Sequence, residues 1–321
     1  GVNRRRKRGA MQAGFMLKPE QRINNGIAKA YWPKRGGAVF ESAHEAKPTH
    51  FTTDDRTRVS FAGVDLDLVV ADGETSDALY IWFPKEAVLF AGDNFYKSWP
   101  NLSPIRGSAY RDVRTWAMTV DAMLNEQPEV LVPGHTRPIV GSEVAAEMLT
   151  NYRDAIQFVF DKTVEGINEG LTPNQLIEYV QLPEKYLKLD YLRPHYGNPE
   201  WAVRSIFAGY LGWFDGNATN LFPLTDKEEA TRLAKMAGGI SQLRAQSEAA
   251  MEEGDYQWVL KLSDYILALE PGSTDAKLRK ADAMTKLAEV VLTTTARNYY
   301  LSSAKQLRES AAAMVVSAPD E

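Results

Sequence analysis

The chain has 321 residues, 44% of them hydrophobic and 10% aromatic, so it can bury a sizeable core and is expected to form two domains. Its formal charge of −5, with a single basic run at Arg4-Arg5-Arg6-Lys7-Arg8 that reads as a solvated or flexible end, points away from a nucleic-acid groove or a polybasic membrane surface. No apolar segment approaches the ~20 residues that span a bilayer, and the absence of cysteine excludes disulfides, thiolate metal sites and cysteine nucleophiles, leaving His, Asp and Glu to hold any metal.

In chain order, residues 1–56 read as mostly loop and short helix. His44 and His50 lie there in a polar stretch without a matching carboxylate pattern and read as surface histidines. Residues 58–61, a turn at Ala62-Gly63, and residues 65–70 form a predicted hairpin. Strands follow at 79–83 and 87–91, on either side of Pro84-Lys85. Val113, Trp116, Ala117, Val120, Met123 and Leu124 recur at helical spacing, and an apolar strand then runs into Pro133 and Gly134. The histidine that follows, His135, is either a hydrogen-bonded turn imidazole or a ligand at the strand's carboxyl end.

Past Gly141 the strand signal stops. A helix is expected from Ser142 to about Asn168, ended by Gly170, and another from Thr172-Pro173, with proline at the first helical position. Thr225 and Glu228 make a capping box for a further helix. Residues 241–288 resemble one tetratricopeptide unit, with Gly254-Asp255-Tyr256 at the turn and Pro271 placed 17 residues after Gly254. One unit does not make a solenoid, so helical hairpins packed on the rest of the protein or on a second copy are expected. The expected boundary lies near residue 145, dividing an α/β part, 1–145, from an all-α part, 146–321.

The chemistry gathers at the strand ends. Val-Ala-Asp-Gly-Glu-Thr-Ser-Asp (70–77), Phe-Ala-Gly-Asp-Asn (90–94) and Pro-Gly-His-Thr (133–136) each place one potential ligand beside a glycine: Glu74, Asp93 and His135. Glycine permits the sharp turn, and two carboxylates with an imidazole suit zinc, manganese or iron.

These three turns, in this order, resemble the second half of the metallo-β-lactamase superfamily. Glu74, where most members carry histidine, is similar to the alkylsulfatase branch, which hydrolyses sulfate esters of long-chain alcohols. So are residues 93–107, Tyr-Gly-Asn-Pro-Glu-Trp-Ala-Val-Arg (196–204) and Gly-Tyr-Leu-Gly-Trp-Phe-Asp-Gly-Asn (209–217). The resemblance runs from about residue 57 to 310. It implies a partial metallo-β-lactamase-like αββα sandwich followed by an α-helical, tetratricopeptide-like dimerisation domain, and hence a homodimer.

Carried over residue by residue, the resemblance makes Glu74 and His135 terminal ligands and Asp93 a bridge between two zinc ions, with manganese or iron as alternatives. Arg106 would contact the sulfate, its planar guanidinium matching two sulfate oxygens. Asn94, Tyr196 and Tyr210 would belong to the substrate pocket, Tyr196 and Tyr210 having aromatic core packing as the competing reading. His195 reads as a packing residue or one that supports a ligand. Two departures stand out. Lys97 and Pro100 occupy positions where some relatives have histidines, and the His-X-His-X-Asp-His cluster that supplies most ligands in that superfamily is not in the sequence. The expectation is therefore a metal-dependent alkylsulfatase core completed by a separate or missing N-terminal half, soluble, with a periplasmic or secreted setting implied by the resemblance. Two other readings are a thioester or phosphoester hydrolase of the same fold, which Glu74 and residues 209–217 disfavour, and a non-catalytic helical scaffold with a vestigial half-site.

Overall fold

The structure is a computed structural model that describes residues 2–22, 27, 49–52 and 54–316. Its elements in order are α1 (Val2–Gln12), β1 (Arg56–Phe61), β2 (Val64–Val70), β3 (Leu79–Phe83), β4 (Val88–Gly92), α2 (Val113–Asn125), β5 (Val130–Pro133), β6 (Ile139–Val140) and α3 (Ser142–Asn168). Helices α4 (Pro173–Tyr179), α5 (Glu184–Leu187), α6 (Pro199–Leu211), α7 (Asp226–Ala237), α8 (Ile240–Glu253), α9 (Tyr256–Leu269), α10 (Thr274–Val290) and α11 (Thr294–Val316) complete the chain. It divides into two compact units, one of residues 26–216 and one of residues 1–25 with 217–321.

The first unit is built on a six-stranded sheet in the order β1-β2-β3-β4-β5-β6. All neighbours are antiparallel except β4 and β5, which run parallel and are joined by the crossover helix α2. Pairing registers line up Arg58, Asp67, Trp82, Leu89, Leu131 and Ile139 in one row across the sheet. Because side chains alternate along a strand, this row shares its face with Tyr80 and Ala91. That face is buried in a cluster with Trp116 and Val120 of α2 and Leu149, Tyr152, Ile156 and Val159 of α3. On the other face Phe83 and Phe90 pack at 5.6 Å between ring centroids, yet Phe90 is 41% and Val70 45% exposed.

Local sequence sets the helix ends. Asp112 caps α2 by accepting from Thr115 N at 2.7 Å, and Thr172 with Gln175 and Thr225 with Glu228 form the two capping boxes that start α4 and α7. Gly254 takes the left-handed conformation that ends α8, and Asp255 caps α9.

Residue 145, near which the sequence sets the boundary, lies inside the first compact unit, where the apolar stripe of α3 belongs to the same core as the sheet. Residues 4–8 are part of helix α1 rather than a flexible end. The side chains of Asn298, Ser302 and Lys305 on α11 donate to the carbonyls of Gln12 and Met11 at the end of α1 and of Met16 just past it. The short β6 carries no legible signal of its own; its two residues pair with Val130 and Leu131.

Asp67 is buried on this sheet face, 2% exposed, and it accepts from Arg58 Nε at 2.7 Å, Arg58 Nη2 at 3.0 Å and Arg56 Nη1 at 2.8 Å. Hydrogen bonds from Arg58, ahead of those from Arg56, hold its carboxyl below the ordinary value despite burial. A carboxyl lowered in the folded state adds stability above its unfolded pKa and loses it as pH falls through the folded one. Asp67→Asn is therefore expected to cost roughly 1–3 kcal/mol at pH 7, in urea denaturation, with the difference from wild type shrinking below about pH 4.

Candidate functional site

Topology brings the three turns that carry Glu74, Asp93 and His135 to one edge of the sheet. β2 and β4 both run antiparallel to β3, and β5 runs parallel to β4, so all three point the same way and end on the same side. Glu74 follows β2, Asp93 follows β4 and His135 follows β5.

The turns are clamped to each other by backbone contacts. Gly92 has φ +56°, and its carbonyl accepts from Gly134 N at 2.7 Å. A Cβ on Gly134 would lie 2.2 Å from Asp93 Oδ1, so glycine is what lets the two turns meet. His135 Nε2 then stands 3.5 Å from Asp93 Oδ1, with both side chains partly open to solvent.

Asn94 ties in the third turn. Its Oδ1 accepts from Glu74 N at 2.9 Å, its Nδ2 donates to Ala71 O at 2.6 Å, and its backbone carbonyl accepts from Trp116 Nε1 at 2.9 Å. Thr119 Oγ1 of α2 donates to Asp72 O at 2.6 Å in the same turn. Asn94 is 1% exposed, so its amide is a strut between the turns rather than a group facing solvent.

Glu74 itself meets Arg111, whose Nη2 donates to Glu74 Oε1 at 2.5 Å. Burial pushes the Glu74 carboxyl above its ordinary value; Arg111 opposes this, Asp93 adds to it, and Arg106 also opposes it. Beneath lie Tyr96 and Tyr152, fully buried, their phenols raised first by burial; the charge of Glu74 adds to the shift of each. The floor of the site is thus apolar and poorly screened, which strengthens every charge interaction above it.

The remaining expected residues lie around this edge. Arg106 is half-buried in the turn after β4, before Gly107 at φ +97°. Next to it a depression of about 260 Å³ is lined by Ser103, Pro104, Gly107, Tyr110, Ser205 and Gly209. Tyr210 is 51% exposed and packs edge-on to Tyr110 at 6.3 Å and tilted to Phe160 at 5.9 Å. Tyr196 packs edge-on to Tyr96 at 6.0 Å, where the chain around it pairs with the loop after β4: Trp99 N donates to Arg193 O, Tyr196 N to Ser98 Oγ and Gly197 N to Trp99 O. Lys97 N donates to Thr136 Oγ1, and Pro100 is buried. His195 is held below its ordinary pKa by burial and Arg193, His50 is exposed beside Thr49, and His44 lies outside the described residues. Arg111 carried no signal of its own in the sequence, since it reads as the residue before a helix cap.

The donor types suit a divalent metal, but the geometry supplies only part of a site. Among the described residues no three His, Asp or Glu side chains converge; Asp93 and His135 pair with each other, and Glu74 is engaged by Arg111. Among the described residues no helix is long and apolar enough to cross a membrane.

Comparison with known proteins places these features in a wider group. Residues 172–310 match the alkyl sulfatase dimerisation family. A linear primary-alkylsulfatase of a Pseudomonas species is 34% identical over 271 residues, covering 83% of this chain and 51% of that protein. An alkyl/aryl-sulfatase of Saccharomyces cerevisiae is 27% identical over 96% of this chain and 47% of its own length. The solved structure of a stereoselective inverting sec-alkylsulfatase from Pseudomonas sp. superposes with a TM-score of 0.85 at 28% identity, over 96% of this chain and 49% of that one. The chain thus spans about half the length of the relatives it matches.

The close approach at Gly134 gives a direct test of how the turns are built. Gly134→Ala is expected to force Asp93 and the Gly92 backbone apart and to cost roughly 1–3 kcal/mol in chemical denaturation. A substitution at Gly63, where the backbone is left-handed at φ +82° but an added Cβ meets nothing within 4 Å, carries backbone strain without a clash; it serves as the comparison and should cost less.

Proposed function

Residues 172–310 belong to the alkyl sulfatase dimerisation family and the chain as a whole is a relative of the alkylsulfatases; from that premise we propose that it is part of a metal-dependent alkylsulfatase, the C-terminal half of the catalytic domain with the dimerisation domain. The reaction is hydrolysis of an alkyl sulfate ester. The observation that carries this reading is the gathering of Glu74, Asp93, His135 and Arg106 on the edge of the sheet in a chain that aligns with alkylsulfatases almost from end to end.

Each residue has a task that its chemistry supports. Arg106 would bind the sulfate, since a guanidinium fork matches two of its oxygens and offsets the charge that builds as the ester breaks. Tyr210 and Tyr196, with the depression beside Arg106, would seat the ester and the start of the alkyl tail, an apolar wall with polar tips. Glu74, Asp93 and His135 would form one side of a zinc site that the family resemblance gives two ions, with manganese or iron as substitutes. A bound cation of this kind supplies Lewis acidity and a low-pKa water.

The site needs completion by further polypeptide carrying the His-X-His-X-Asp-His cluster. The half-exposed sheet face with Phe83, Phe90 and Val70 supports this, because in an αββα sandwich each sheet has helices on one face and a second sheet on the other, and an exposed apolar face favours a cover. The dimerisation match supports a homodimer as the assembled form.

The test is metal content by elemental analysis, with dodecyl sulfate hydrolysis, for the chain alone and together with a segment that carries the histidine cluster. About two metals per chain and sulfate release are expected in the mixture, and Asp93→Ala or His135→Ala should abolish both while the fold, followed by circular dichroism, stays intact. No metal and no hydrolysis in either preparation would leave the helical scaffold as the function.

A further inference from the structure

Glu74 is fixed twice, by two unrelated devices. Its backbone hangs on Asn94, and its side chain is gripped by Arg111. The second grip is unusual in its setting. Arg111 is 6% exposed, and a buried guanidinium requires a partner because its desolvation is costly. It has two short contacts, Nη2 to Glu74 Oε1 at 2.5 Å and Nη1 to Asn101 O at 2.6 Å, while Nε makes no hydrogen bond.

Arg111 is itself rigidly mounted. The next residue, Asp112, caps α2, and α2 packs across the core through Trp116 and Val120. Asn101, the other acceptor, is pinned through its own N–H, which donates to Tyr96 Oη at 2.7 Å. The guanidinium is therefore oriented from both sides before it reaches Glu74. Among the described residues nothing donates to Glu74 Oε2, so the grip uses one carboxylate oxygen and leaves the other available.

We propose that Arg111 is a positioning residue for Glu74: it holds one carboxylate oxygen so that the second is presented to the cation of the completed site. The proposal deepens the alkylsulfatase reading and rests on it for what Glu74 faces, though not for how Glu74 is held. Groups that orient a ligand from behind commonly set its metal affinity, and losing one costs about 10–100-fold. Lysine keeps the charge but lacks the planar fork, so it should restore the arrangement only in part.

The experiment pairs crystal structures of Arg111→Met and Arg111→Lys with zinc affinity measured by chelator competition on the full chain, wild type and variants. The expected result is a Glu74 carboxylate that swings away in Arg111→Met, returns toward its place in Arg111→Lys, and a zinc affinity about 10–100-fold weaker in the methionine variant with partial recovery in the lysine variant. A Glu74 that keeps its place in Arg111→Met, or zinc affinity unchanged by either substitution, overturns the proposal. If both variants fail to fold, Arg111 is a folding residue and the positioning role is likewise overturned. Wild-type protein that takes up no zinc counts against the metal reading alone, since the place of Glu74 in the two variant structures still decides the role of Arg111.

Discussion

The arrangement at the sheet edge depends on one buried amide. Asn94 sits immediately after Asp93, so any force that fixes Asn94 also fixes the carboxylate beside it. Its two side-chain ends hold the turn that bears Glu74, and its backbone carbonyl is held by Trp116 from the helix below. A Cβ on Gly73 would fall 2.4 Å from Asn94 Oδ1, so the turn has to present a glycine for the amide to reach it. Removing the amide would leave a buried N–H and a buried carbonyl without partners, each costing about 1–3 kcal/mol. Two acids that repel each other across a poorly screened floor are in this way kept together by neutral hydrogen bonds.

The same contacts explain which parts of the sequence could be read. Strands at 79–83 and helices at 113–124 and 142–168 follow from apolar period and capping residues, signals that sit inside each element. The turns of Glu74, Asp93 and His135 were legible because glycine, an acid or imidazole, and a strand end coincide within a few residues. The strings Tyr196-Gly197-Asn198 and Gly209-Tyr210 were legible only by resemblance, and the structure supplies the reason for them: a Cβ on Gly197 would meet Pro100 O at 2.0 Å, and one on Gly209 would meet the Tyr110 ring at 2.5 Å. Close approach between segments a hundred residues apart leaves no periodic trace.

What the sequence hid has the same character. Helix α1 is held by side chains from α11, nearly three hundred residues away, and its basic run disguises it as a loose end. The role of Asn94 as a strut is set by Ala71, Glu74 and Trp116, none of them its neighbours, so composition offered no way to separate it from a residue of the substrate pocket. Arg111 is a harder case still. Its partner lies 37 residues earlier, and an arginine before an N-cap is an ordinary surface feature until burial is known.

Burial of Arg111 also bears on how a partial site persists. A carboxylate in an apolar setting without a counter-charge would protonate or turn to solvent, and either would erase the arrangement that a cation needs. The guanidinium supplies that counter-charge from within this chain. Asp93 and His135 manage without such help because they remain open to water and lean on each other. The edge is therefore pre-organised by two different means, an internal ion pair where the site is dry and solvent with a neighbouring imidazole where it is wet, and the ligand whose geometry is most tightly dictated by the fold is the one that water screens least.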